Sequence, residues 1–164
     1  MNRVLAVCAM LVGMAIMLTS ARAQDSARQR ESLALPPDLM VLLQAEMREI
    51  TTGVQTIPVA IAAADWDTLR ETGESIRSSY IMAKALTEEQ AAALDLALPE
   101  RFKQLDADFH ARAGKLARAA EARDFELASY HYSRLVESCA QCHSLYAQTR
   151  FPGFGPVTEH AHHH

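Results

Sequence analysis

Apolar residues recur along this chain at steps of three and four, the period of an amphipathic helix, and strand-like alternation is missing. Met40, Leu43, Met47, Ile50, Val54, Ile57 and Ile61 step 3, 4, 3, 4, 3, 4 and predict a first helix from about Asp38 to Ala63, opened by Pro36-Pro37. Pro58 falls inside that pattern and should kink the helix or restart it. Asp65 is a good N-cap for a second helix carrying Trp66, Leu69, Gly73, Ile76, Tyr80 and Ala83, which should end near Ala85. Thr87-Glu88-Glu89-Gln90 is a capping box for a further segment running to Leu98.

Pro99-Glu100 opens a third long helix with Phe102, Leu105, Phe109, Arg112 or Ala113, Leu116 and Ala120 on its stripe. Asp124 caps the last, whose seam is Phe125, Ala128, Tyr132, Leu135, Cys139, Cys142 and Tyr146, again stepping 3 and 4. Short links between four amphipathic helices make the expected fold all-α, an antiparallel up-down-up-down four-helix bundle. Phe151-Pro152-Gly153-Phe154-Gly155-Pro156 cannot continue the last helix, and its two aromatics are placed to fold back over the bundle end or over the edge of a group bound by the last helix.

The amino terminus has a different grammar. Arg3, an apolar run from Val4 to Leu18 and Ala21-Arg22-Ala23 read as a secretory signal peptide, cleaved before Gln24. The run is short of the ~20 apolar residues of a membrane span, so no stable membrane insertion is expected. Export to the periplasm is. The expected domain plan is a signal peptide over 1–23, a flexible lead-in over 24–35, the bundle over 36–150 and a tail over 151–164. The His-rich end reads as a tag remnant or an unstructured tail, with loose metal binding the alternative.

Removing the signal's two arginines takes the formal charge from −4 to −6, which argues against nucleic acid as a partner. It also removes Cys8 and leaves one cysteine pair, in Cys139-Ala140-Gln141-Cys142-His143. C-x-x-C-H is the attachment signature of a c-type haem. Two thiols add to the two vinyl groups of one porphyrin, and the adjacent His143 can donate its imidazole to the iron. Four other readings compete. A thioredoxin-like pair wants a βαβ context, a zinc site wants a second ligand pair, and a disulfide leaves His143 unexplained. A haem-free helical module with a chance motif is the last. Paired carboxylates in a motif, a nucleophile elbow and a phosphate-binding glycine loop are all missing, so an enzyme is not expected.

A C-x-x-C-H in the fourth helix of an exported bundle, with Tyr146 three residues on, resembles the cytochrome c′ family from about Pro36 to Arg150. That resemblance implies one covalent haem c, with Cys139 and Cys142 as thioether sites and His143 as proximal ligand. The family commonly has a basic residue directly after the tyrosine. Here Ala147 stands there, and Arg150, seven residues from His143, is the nearest arginine. One branch of the family holds a methionine from the first helix on the iron and carries electrons. The other leaves the iron five-coordinate and binds nitric oxide or carbon monoxide.

The first turns of the first helix should face His143, a window holding Met40, Leu43, Gln44 and Met47. Met47 is the first candidate for distal ligand, being deepest in the window and on the seam. A core-filling Met at that spacing is the competing reading. His110 and His131 are expected at the surface or boundary, away from the iron. Electron transfer with a redox partner protein is the expected function, gas binding the alternative. The resemblance also makes a homodimer plausible.

Overall fold

A computed structural model describes residues 33–154. The expected signal peptide and the His-rich end lie outside them. Among the described residues the regular structure is entirely helical. The elements are α1 (Pro37–Ala63), α2 (Trp66–Arg77), α3 (Met82–Ala85), α4 (Glu88–Ala97), α5 (Glu100–Glu121) and α6 (Phe125–Tyr146), followed by a 3-10 turn, Pro152–Phe154.

Three N-caps form from the residues expected. Asp65 accepts from the Thr68 amide, Asp124 from the Leu127 amide, and Thr87 and Gln90 complete a reciprocal capping box. Pro99, expected at the first helical position, is instead the N-cap of α5. Helix α1 runs through Pro58 as continuous helix, with the exposed ring on its outer face. Proline removes only its own N–H, and the helix hydrogen bonds on either side carry the segment past it.

The second helix corrects its expectation. It stops at Arg77 instead of continuing to Ala85. Ser79 takes a left-handed conformation, φ 60°, and the chain turns before the short α3 begins. Tyr80 and Ala83 therefore lie beyond the break, while Leu69, Gly73 and Ile76 keep the buried face.

Helix α1 packs on α2, α2 on α5, α5 on α6 and α6 back on α1, which closes the ring of a four-helix bundle. The core is densest toward one end. Ile57, Ile61, Leu69, Ile76, Leu116, Ala120, Ala128 and Leu135 form one cluster there. Small residues let the helices close up. A Cβ on Gly73 would stand 2.9 Å from the Ala117 backbone nitrogen, so α2 and α5 meet nearly backbone to backbone. Phe125, expected on the seam of α6, is instead 56% exposed, because it stands on the first helical turn where no further layer covers it.

Candidate haem site

The C-x-x-C-H motif occupies the penultimate turns of α6. Cys139, Cys142 and His143 are each partly buried, on a helix whose register is fixed from α5. Arg112 of α5 donates to the Arg134 carbonyl at 2.7 Å and to Ser138 Oγ at 2.8 Å, directly before Cys139. Ser138 is buried, and Glu137 lies 3.6 Å from the same guanidinium nitrogen.

Cys139 and Cys142 are not joined in a disulfide. Burial raises the Cys139 thiol above its usual range. Burial first, then the Asp106 carboxylate and Cys139, push the Cys142 thiol up to about 11. His143 moves the other way. Burial, and after it the Arg150 charge, lower its proton affinity, so its ring is neutral at pH 7 with a nitrogen lone pair to give. Phe151 folds back and stacks on it, with ring centroids 4.4 Å apart and planes 17° from parallel. Arg150 lies beside Phe151, in the turn after the helix rather than on the helix face. Phe154, the second aromatic of that segment, is exposed.

The bundle also holds a cavity of about 420 Å³, within the range that holds small ligands and cofactors, with no residue of α6 in its lining. Helix α1 lines it with Leu43, Glu46, Met47 and Ile50. The break after α2 contributes Ser79 and Met82, α4 and its end contribute Leu94 and Leu98, and α5 contributes Phe102, Asp106 and His110. Two contacts through α5 connect the cavity to α6. Asp106 is the carboxylate felt by Cys142, and Phe102 meets Tyr146 edge to face at 5.3 Å.

Of the distal candidates, Met47 and Leu43 reach the cavity, whereas Met40 and Gln44 are not part of its lining. His110 is half-buried at the boundary of the bundle, as expected. It is a cavity residue, with Nδ1–H donating to the Ile76 carbonyl at 2.6 Å and Nε2 3.6 Å from Asp106. His131 stays apart on α6 against Tyr130.

The described residues contain no cluster of three or more His, Cys, Asp or Glu side chains able to hold a metal ion. They contain no strand for a thioredoxin-like βαβ unit either. The donor set suits a haem instead: two thiols three residues apart, a neutral imidazole next to them, and a largely apolar cavity in the same bundle. A family model described as cytochrome C′ matches residues 38–147, more than half of the chain.

The chain belongs to the cytochrome c′ family.

Its cofactor is accordingly a covalently bound haem c. No curated protein and no solved structure matched the chain. Reasoning from the sequence missed two residues that line the cavity of this cytochrome c′. Glu46 is a buried carboxylate next to Met47, and Met82 is a second methionine on the cavity wall. The only trace of either was an acidic residue flanking the apolar stripe of α1, a pattern that usually marks a solvated face.

Proposed function

We propose that this cytochrome c′ is an exported, periplasmic electron carrier. In this reading Cys139 and Cys142 would hold the haem through thioethers, His143 would donate its imidazole to the iron, and Met47 would donate its thioether sulfur. The observation that carries this reading is Met47 on the cavity wall, on the first helix, beside Leu43 and Ile50. When bound, the haem supplies a one-electron couple, and His/Met ligation raises its potential.

This chain's own residues do the rest. The neutral His143 is ready to coordinate without losing a proton, and the Phe151 stack holds its ring plane. Leu43, Ile50, Leu94 and Phe102 give the cavity apolar walls, and an apolar surround favours the less charged ferrous state. No helix among the described residues is long and apolar enough to cross a membrane, which accords with release from the membrane after export. The partner is a redox protein, met at the surface.

Absorption spectra of the holoprotein, ferric and ferrous, with and without carbon monoxide, test the reading. A low-spin spectrum insensitive to carbon monoxide is expected, and Met47→Ala should open the iron to the gas. A high-spin wild-type spectrum that shifts with carbon monoxide would replace the electron carrier by a nitric oxide- or carbon monoxide-binding protein. An unchanged low-spin Met47→Ala variant would sink the Met47 assignment.

A further inference from the structure

Glu46 is 2% exposed, yet its side chain ends in a carboxyl group, and it stands one residue before Met47. A buried carboxylate is costly unless its oxygens are satisfied. Three successive backbone amides satisfy this one. Oε1 accepts from Tyr80 N–H at 2.9 Å, and Oε2 from Ile81 N–H and from Met82 N–H, the latter at 3.0 Å. These amides belong to the turn that breaks the second helix, the turn with Ser79 at φ 60°. Ser79 Oγ accepts from the Ala83 amide at 3.2 Å, which tightens the same turn. A concave run of N–H groups of this kind is an anion-binding nest.

A second observation seats the turn on α1. A Cβ on Gly53, two helical turns beyond Glu46, would lie 2.5 Å from the Tyr80 hydroxyl oxygen. The missing side chain is thus the space in which Tyr80 rests. Glu46 from below and Gly53 from above hold residues 80–82 against one face of α1. That junction carries both methionines of the cavity, Met47 on α1 and Met82 on the turn.

We propose that Glu46 is a positioning residue for the distal side of the haem: its carboxylate, bound in the amide nest of residues 80–82, fixes α1 against that turn and so sets the place of Met47 and Met82 over the iron. The proposal rests on the cavity being the distal side of the haem. A hydrogen bond to a charged group is worth more than a neutral one, and three of them act together here. Glutamine at this position would keep the shape but remove the charge, and it would turn an N–H₂ donor toward amide donors.

The test compares Glu46→Gln with Leu116→Ala, a core truncation away from the cavity, in the holoprotein. Both should lower the melting temperature. Glu46→Gln alone should convert part of the iron to high spin and speed carbon monoxide binding about tenfold or more, the factor that loss of one charge-assisted hydrogen bond corresponds to. A Glu46→Gln variant with the wild-type spectrum and carbon monoxide rate would overturn the proposal. If Met47→Ala alters the spectrum in the same experiment, only the role of Glu46 fails; if it does not, the Met47 assignment fails with it. A change in Glu46→Gln without one in Met47→Ala keeps Glu46 and moves the distal role to Met82. Amide hydrogen exchange in the wild-type holoprotein gives an answer that needs no variant. Tyr80, Ile81 and Met82 should exchange as slowly as helix-interior amides, and fast exchange at all three would overturn the proposal.

Discussion

The two ends of the bundle are built from different materials. At the closed end, alanines and Gly73 bring α2 and α5 nearly into backbone contact, and Ile57, Leu69, Leu116 and Leu135 fill what remains. At the other end Leu43, Met47 and Phe102 line a cavity, and the partly buried cysteine pair stands on α6, behind Phe102 and Asp106 of α5. Four helices meeting at both ends would leave no room for a prosthetic group. The chain concentrates its tight packing at one end, and the other end is held open by polar contacts. Those contacts are Glu46 to the 80–82 amides, Arg112 to α6, and His110 to Ile76. Stability and chemistry are thereby separated along the bundle axis.

Substitutions at the open end that remove the tether should have the largest effect. Cys139→Ser with Cys142→Ser should abolish covalent haem, read as loss of the haem peroxidase stain on a denaturing gel. A stained band from the double variant would break the assignment of the thiols. At the closed end, Leu69→Ala should cost about 2–5 kcal/mol in denaturant unfolding, because it empties a fully buried site, while the haem spectrum stays unchanged. A spectral change there would show that the two ends are not independent. Gly73→Ala should cost about 1–3 kcal/mol, since the new methyl meets backbone that cannot move aside.

The smallest effect belongs to His110. The Asp106 contact raises its proton affinity above the usual value, with the Ile76 carbonyl and the Glu46 charge adding to it and burial opposing. A raised folded value stabilises the protein fully below the unfolded pKa of about 6.5 and loses that contribution as pH rises through the folded one. The holoprotein should therefore lose stability gradually above pH 6.5, and His110→Gln should flatten that slope. An equally steep slope in the variant would assign it to another group.

What could be read from the sequence was what acts locally. Asp65, Thr87 and Asp124 cap helices through bonds to amides three residues on, so spacing alone reveals them. The motif of Cys139, Cys142 and His143 is likewise one helical turn of chain. The break after Arg77 was not legible, because the group that satisfies the amides of the turn, Glu46, lies more than thirty residues upstream. Periodicity extended α2 through Tyr80 and Ala83, since both continue the stripe, and no local signal opposed it. Phe125 was misplaced for a related reason: a heptad seam gives the face of a helix but not how far the neighbouring helices extend. His110 needed the carbonyl of Ile76, from another helix, to become a cavity residue.

The order of elements has a consequence for biosynthesis. Among the described residues, those that line the cavity fall between Leu43 and His110, whereas both thiols belong to α6, the long helix that leaves the ribosome after them. A nascent chain that has reached Arg123 holds the whole wall of the cavity and no means of attaching anything to it. Haem capture must therefore await α6, and a chain that stalls or is cut before Cys139 would reach quality control colourless.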